Sequence, residues 1–295
     1  MAQKPCKQSG CYFDAVTESD FCWQHTEDKS EYREKIVSLV KEGHDLSNGY
    51  FAKVNFRSLN LAGGQFENCN FVGTYFKNAT LNAKFSGSHF RRANLEAADL
   101  TEADLTATNM EGALLDGASL TKANLTDAVL NYANLSFAEL SNSNLSKVSA
   151  RHANLIGTNF EGAIIESANF AFANLKGANA KASRGAFVIF GGALLFEANF
   201  EEADLNRANL VGTDARKANF KKANLYFIRP GRANFSSANF EGANLNRAIC
   251  READLTGANL TEANISGAVF ERAKLMDITP GNLDFSENNT NGAEF

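Results

Sequence analysis

Three cysteines and one histidine lie close together near the start of the chain. Cys6, Cys11, Cys22 and His25 follow the spacing C-x4-C-x10-C-x2-H. Three thiolates and an imidazole form a ligand set that suits tetrahedral zinc. Because all four ligands come from the protein, no coordination position stays open for a reaction. The residues therefore predict a structural zinc site.

The same residues allow two other states, namely a Cys6–Cys11 or Cys6–Cys22 disulfide, or free thiols. The first residues, Met1 to Pro5, are polar and lack the apolar core of a secretory signal. A cytoplasmic location is therefore expected, and disulfides are rare there. Zinc is the favoured interpretation.

The elements that must position these ligands are short. Residues 1–29 are too few to hold a hydrophobic core without a metal or a disulfide. Residues 30–45 are predicted to contain a helix that runs from Ser30 to Gly43, with glycine as its stop signal. Its apolar face consists of Tyr32, Ile36, Leu39 and Val40.

From residue 46 onward the chain repeats every five residues. Large apolar centres run from Leu46 to Leu81 and, one register away, from Phe85 to Leu275. Alanine usually stands two residues before a centre, and asparagine or aspartate immediately before it. The step from Leu81 to Phe85 is a one-residue deletion. In the second block the exceptions at the centres are Ala150, Ala180, Gly185, Ala215, Pro230 and Cys250.

A period of five fits neither a helix nor a flat strand. On an α-helix it advances by about 500°, so the centres would spiral around the surface. On a strand an odd period sends successive centres to opposite faces. Both conflicts disappear if the chain turns a corner within every repeat. The chain then forms a narrow coil whose turns stack through backbone hydrogen bonds, which explains why only 3 prolines occur.

The tandem A(N/D)LXX motif resembles the pentapeptide-repeat proteins, as in Ala123-Asn124-Leu125-Thr126-Asp127 and Ala258-Asn259-Leu260-Thr261-Glu262. The resemblance implies an all-β solenoid, a right-handed quadrilateral parallel β-helix with four pentapeptides per coil and about 12 coils. Residues 46–275 would form these coils, and residues 276–295 a C-terminal coil or tail. The helix at 30–45 would cap the open backbone ladder of the first coil.

The repeats offer few groups for catalysis. His44, His89 and His152 are isolated, and the chain has no phosphate-binding loop or nucleophile motif. It also lacks an uninterrupted apolar run long enough to span a membrane. We therefore expect a non-enzymatic interaction or scaffold protein that presents a rigid surface to a protein partner. No small-molecule substrate and no membrane contact are expected.

Charge and composition predict where the partner binds. Residues 91–116 are acidic overall, whereas residues 201–232 carry seven basic and four acidic side chains. Two breaks in the motif, Ala178 to Phe190 and Tyr226 to Arg232, and the coil between them place aromatic and basic residues on the outside of the solenoid. They are Phe187, Arg207, Tyr226, Phe227, Arg229 and Arg232. Exposed aromatic residues mixed with arginine are typical of interfaces.

Three further expectations concern partners. Some pentapeptide-repeat proteins inhibit or protect a type II topoisomerase, DNA gyrase, by imitating duplex DNA, but the repeats here are nearly balanced in charge. Nucleic-acid binding through the Cys3His segment and the basic stretch lacks the dense basic patch that it requires. Several family members dimerise end to end, so a homodimer through the C-terminal coils is also expected.

Overall fold

The structure is a computed structural model and describes residues 4–295. One helix, α1 (Lys29–Lys41), precedes a long ladder of parallel β-bridges that runs from Asp45 to Glu294. The Asp28 carboxylate caps α1 by accepting from the N–H groups of Ser30 and Glu31. The predicted helix is present, but it begins one residue earlier because Asp28 is its N-cap.

Each pentapeptide folds in the same way, as the repeat around Leu95 shows. Asn94 bridges to Tyr75 on one side and to Leu114 on the other, while the flanking Leu95 points into the core. The chain then turns, and the N–H of Ala98 donates to the carbonyl of Leu95 at 3.0 Å. The third residue of this turn, Ala97, has a φ of 51°. Such a left-handed residue at the third position is typical of type II turns.

The ladder shows that the backbone returns to the same side after every four pentapeptides. Four consecutive bridge positions, Asp99, Asp104, Asn109 and Leu114, each pair with the residue 20 positions later. The chain is therefore a solenoid with four bridged sides and a corner between each two. The deletion after Leu81 appears as a shorter spacing, because the bridges from Gln65–Lys84 to Thr80–Asp99 join residues 19 positions apart.

The core fills the inside of the solenoid and is continuous with α1. Val16, Tyr32 and Ile36 belong to the same buried cluster as Leu46 and the repeat centres as far as Leu275. Aromatic centres stack along the axis. The rings of Phe200, Phe220 and Phe240 lie 5.4 and 5.2 Å apart and are nearly parallel, as their spacing of one coil requires.

Pro230 interrupts one ladder. Within residues 4–295, Arg229 bridges to Asn209 but forms no bridge to Ile249, which is its expected partner. The cause is local, because proline has no N–H to donate to the next coil. The hydrogen bond in the other direction between the same two coils is present, because the N–H of Ile249 donates to the carbonyl of Ile228 at 2.9 Å.

The C-terminal residues continue the ladder with looser packing. Val269 bridges to Asn289 and Lys274 to Glu294, but most side chains of 276–295 are at least partly exposed. Phe285 packs edge-on against Phe270 at 5.6 Å. In the described part of the chain, no helix has the length and apolar character to cross a membrane.

Candidate functional site

Two short elements carry the four predicted metal ligands. A hairpin with an antiparallel bridge between Pro5 and Asp14 carries Cys6, whose N–H donates to the carbonyl of Phe13. A turn within this hairpin holds Cys11, whose N–H donates to the carbonyl of Gln8 at 3.1 Å. The other two ligands share one turn, in which the N–H of His25 donates to the carbonyl of Cys22 at 2.9 Å.

These elements bring the four ligand atoms together. The sulfurs of Cys11 and Cys22 are 3.8 Å apart, and Nδ1 of His25 lies 3.3 Å from Cys22 Sγ and 3.5 Å from Cys6 Sγ. All ligand atoms lie within 4.8 Å of one another. With Zn–S bonds of about 2.3 Å, the edge of a tetrahedral zinc site is about 3.8 Å. The donor set and its separations therefore fit a tetrahedral metal site.

The thiols of this cluster differ in acidity. Burial opposes the thiolate of Cys6, but hydrogen bonds from the backbone at Cys22 and Gln8 and from His25 lower its pKa to about 6. The hydrogen bond from the Phe13 N–H lowers the pKa of Cys11. Burial and the neighbouring Cys6 and Cys22 together raise it by more, so the net pKa is raised. All five cysteines of the chain are free thiols in the structure.

The Cys3His segment is fastened to α1 and to the first coil. Tyr32 is buried, and its hydroxyl donates to the carbonyl of Thr17 at 2.9 Å. Lys35 of α1 donates to the carbonyl of Glu18 and lies 3.3 Å from its carboxylate. Arg33 reaches past the helix and donates to the carbonyl of Arg57 at 2.8 Å. No sequence pattern predicts these contacts, because they join residues without a common motif.

The predicted partner residues share one region of the solenoid. Phe187, Arg207 and Phe227 occupy the same corner in three successive coils, and Arg247 occupies it in the fourth. The Arg207 guanidinium carbon lies 5.4 Å from the centre of the Phe187 ring. Sequence reasoning missed Arg247, although its distance of one coil from Phe227 is the signal that identifies it.

Tyr226 and Arg229 complete this region. The Arg229 guanidinium carbon lies 5.9 Å from the Phe227 ring centre, and the Tyr226 and Phe227 rings are 6.2 Å apart. Arg247 donates to the Tyr226 hydroxyl at 3.4 Å. Phe187 is 52% exposed, whereas Tyr226 and Phe227 are half-buried. We define the Phe187 patch as the set Phe187, Arg207, Tyr226, Phe227, Arg229 and Arg247.

Arg232 lies apart from this patch. It occupies the next corner along the chain, and its Nε forms a 2.8 Å ion pair with Glu252 of the following coil. Its side chain is 74% exposed, but Glu252 shares its charge and it lies on a different corner from Phe187, Arg207 and Phe227. We therefore leave it out of the Phe187 patch.

A second aromatic column lies on the same corner as Arg232, nearer the N-terminus. Tyr132, His152 and Phe172 occupy this corner in successive coils, and their rings stack at 5.1 and 5.2 Å within 10° of parallel. Tyr132 and Phe172 are exposed. Phe137, which is 64% exposed, lies on yet another corner. None of these residues was predicted from the sequence as a surface feature.

The backbone geometry and the buried alanines and large apolar centres define a repeat solenoid. A family model described as pentapeptide repeats, with 8 copies, matches residues 50–82, 82–117, 108–146, 143–179, 193–226 and 233–272. These ranges cover more than half of the chain. The chain therefore belongs to the pentapeptide-repeat family, which confirms the resemblance found in the sequence.

Solved structures of other pentapeptide-repeat proteins are similar to this chain. HetL, involved in heterocyst differentiation regulation in the cyanobacterium Nostoc sp. strain PCC 7120, is 26% identical and aligns over 83% of this chain and 96% of its own, with a TM-score of 0.32. QnrB1, a plasmid-mediated fluoroquinolone resistance protein, is 16% identical over 65% of this chain and 88% of its own, with a TM-score of 0.33. Rfr23 from the cyanobacterium Cyanothece 51142 is 33% identical over 37% of this chain and 62% of its own, with a TM-score of 0.17. No curated protein matches the chain.

Proposed function

We propose that this pentapeptide-repeat protein is a non-enzymatic interaction protein that binds a protein partner through the Phe187 patch. The observation that carries the proposal is the exposed Phe187 ring with the Arg207 guanidinium over its face. Aromatic and arginine side chains dominate the energetics of protein interfaces. The stacked coils hold these side chains on a backbone bonded to both neighbouring coils, so the surface is ordered before the partner arrives.

The proposal includes the finer architecture that the family resemblance implies, a right-handed four-sided helix of about 12 coils. The four bridged sides of the solenoid support its four-sided shape. In a rigid rod of this kind, each corner residue keeps a fixed height and direction. A partner can therefore bind several coils at once without an ordering cost in the rod.

The test is partner capture from the source organism, with a double variant that changes the patch. Phe187→Glu with Phe227→Glu places two carboxylates among apolar and cationic groups of the interface. Phe137→Glu is the matched control, because Phe137 is also an exposed corner phenylalanine with positive φ, but it lies two and a half coils away on the opposite corner.

The proposal expects a protein that is captured by wild type and by the Phe137→Glu control, and lost with the double variant. Removal of two interface anchors is expected to weaken binding by about 2 kcal/mol or more, which is over tenfold. If the double variant captures the same proteins as wild type in the same amounts, the patch is not the binding surface.

We further propose that the Cys3His cluster holds zinc in a structural role. Support comes from the four-ligand donor set, whose ligand atoms all lie within 4.8 Å of one another. Bound zinc would fix the hairpin and the Cys22–His25 turn to each other, and Cys6, Cys11, Cys22 and His25 would hold it. Elemental analysis of the full chain should find about one zinc per molecule, with Cys22→Ser losing it and Cys250→Ala retaining it. Zinc below a tenth of the protein concentration in wild type would contradict the proposal.

DNA mimicry is the less favoured function, because the acidic stretch is partly neutralised. Glu96 pairs with Lys77 at 2.8 Å, Glu111 with Arg91 at 3.3 Å and Glu102 with Lys122 at 3.5 Å. A surface that imitates duplex DNA needs a regular row of unpaired negative charges. A gyrase supercoiling assay with and without the protein decides this point, and no effect on supercoiling is expected.

A further inference from the structure

The Phe187 patch contains a column of alternating rings and guanidinium groups. Phe187, Arg207, Phe227 and Arg247 stand in one corner position of four successive coils, and each has a φ between 55° and 61°. Glycine or asparagine adopts this backbone conformation at least cost. The same φ recurs at the corresponding turn position of repeats along the whole solenoid, so it is a property of the fold that fixes the height and direction of these side chains.

The arginines of the patch have no acidic partner. In the described part of the chain, Arg207, Arg229 and Arg247 are exposed and none of them forms an ion pair within 4.0 Å. Among the described residues, Lys222 of the same coils is also unpaired, but several other cations there are paired. They include Arg216 with Asp214, Lys217 with Glu197, Lys221 with Glu241, and Arg232 with Glu252. Within residues 4–295, the patch thus presents three arginines that have no carboxylate within 4.0 Å.

The stacking of the arginines on the phenylalanine rings indicates which kind of anion these arginines can bind. Arg207 covers one face of Phe187, and Arg229 covers one face of Phe227. A guanidinium stacked on a ring keeps its in-plane N–H donors free for a bidentate carboxylate. Nucleic-acid bases would instead need open ring faces on which to stack.

We propose that the Phe187 patch binds an extended acidic segment of the partner protein, whose carboxylates meet Arg207, Arg229 and Arg247. This inference rests on the proposed function and names the chemistry of its partner.

The spacing of the patch constrains that segment. Successive coils are about 4.8 Å apart, which places Arg207 and Arg247 about 10 Å apart along the axis. A polyproline II segment advances about 9.3 Å per turn of three residues, so side chains at every third position lie on one face at a similar spacing. A segment with a carboxylate at every third position therefore matches the two arginines.

The probe is a fluorescein-labelled peptide with five Glu-Pro-Pro triplets, titrated with the full-length protein in low salt and followed by fluorescence anisotropy. The control peptide has Gln in place of every Glu. The protein variant is Arg207→Glu with Arg247→Glu. Its matched control is Arg92→Glu with Arg272→Glu, which makes the same charge change at two corner positions outside the patch that also have positive φ.

We expect the Glu peptide to bind at least about tenfold more tightly than the Gln peptide, and the Arg207/Arg247 variant to lose at least about tenfold in affinity. The Arg92/Arg272 variant should retain binding within about threefold. Its changed charges lie outside the patch, and salt screens their electrostatic effect on the bound peptide. Equal binding of the two peptides, or equal losses in the two variants, would overturn the inference. Tighter binding of a fifteen-nucleotide oligothymidylate that depends on Arg207 would assign the patch to nucleic acid instead.

The outcome also separates this inference from the proposed function. If the Glu peptide fails to bind while Phe187→Glu with Phe227→Glu still abolishes partner capture, the patch remains an interface but its partner is not acidic. If partner capture is unaffected as well, the proposed function fails with it.

Discussion

Thr17 and Tyr50 exchange two hydrogen bonds across the junction between the Cys3His segment and the first coil. The Thr17 N–H donates to the Tyr50 carbonyl at 2.8 Å, and the Tyr50 N–H donates to the Thr17 hydroxyl at 2.7 Å. In later coils such N–H groups bond to a neighbouring coil. The Thr17 side chain therefore substitutes for a coil that is missing at this end.

Thr17→Val should loosen the N-terminal coils. Valine keeps the shape of threonine but leaves the Tyr50 N–H without its partner, at a cost of about 1–3 kcal/mol. Because repeat stability is a sum over neighbouring coils, the loss should be local. Hydrogen exchange should become faster at amides of residues 46–66 and stay unchanged at 199–239. Unchanged exchange rates at residues 46–66 as well as at 199–239 would show that the junction does not stabilise the first coil.

Gly185→Ala should destabilise the rod through a steric clash. Gly185 replaces a large centre, and Ile165 and Leu205 from the adjacent coils fill its place. A β-carbon at 185 would lie 2.9 Å from a side-chain atom of each. Overpacking of this kind costs about 1–3 kcal/mol. Denaturant melts should show a lower midpoint for Gly185→Ala and little change for Gly191→Ala, where an added β-carbon meets its nearest neighbour at 3.8 Å.

An asparagine ladder runs along one side of the solenoid, and Asn199→Ala should break it. Asn159, Asn179, Asn199, Asn219, Asn239 and Asn259 form consecutive side-chain hydrogen bonds of 3.0 to 3.3 Å. Asn199 also accepts from the N–H of Glu201 at 3.1 Å.

The expected cost of Asn199→Ala is about 1–3 kcal/mol, because the substitution leaves partly buried donors and acceptors unpaired. Asn246→Ala is the control, since within residues 4–295 the Asn246 side chain makes no hydrogen bond. Chemical denaturation compares the two variants, and equal midpoints would show that the ladder adds no stability.

Acid should destabilise the fold below about pH 4. Hydrogen bonding from Arg216 lowers the pKa of Asp214, and Lys77 and Arg232 lower the pKa values of Glu96 and Glu252. A carboxyl with a lowered pKa stabilises the fold above its unfolded pKa, and this contribution is lost as the pH falls through the folded pKa. Melting temperatures should therefore fall from about pH 4 to 2. Asp214→Asn should reduce this fall, and an identical acid profile would contradict the assignment.

The expected homodimer gives a prediction for the C-terminal coil. Phe295 is 67% exposed and packs on Phe285 at 5.6 Å, so an apolar group is available for contact between copies. We propose that two copies pack through residues 276–295. Light scattering should give twice the chain mass of 32.0 kDa for wild type and the single mass for Phe295→Glu. A monomer at high concentration in wild type would refute the pairing.

The solenoid could be predicted from the amino-acid sequence alone. A five-residue period of large centres preceded by alanine can bury its apolar residues only if the chain turns a corner in every repeat, and this requirement is local. The Cys3His ligand set was also predictable, because residue type and spacing identify metal ligands. The stacking of Phe200, Phe220 and Phe240 is consistent with the four pentapeptides per coil that the family resemblance implies.

The contacts between these parts depend on packing, which the sequence pattern does not contain. The Thr17–Tyr50 junction joins residues 33 positions apart that share no motif, so no pattern predicts it. Stacking of the coils also determines which arginines are free. Arg232 and Arg247 look alike in sequence, but Glu252 neutralises Arg232 in the next coil, whereas Arg247 has only the Tyr226 hydroxyl. The charge that a residue presents to a partner depends on its neighbours one coil away, and the tertiary structure alone sets those neighbours.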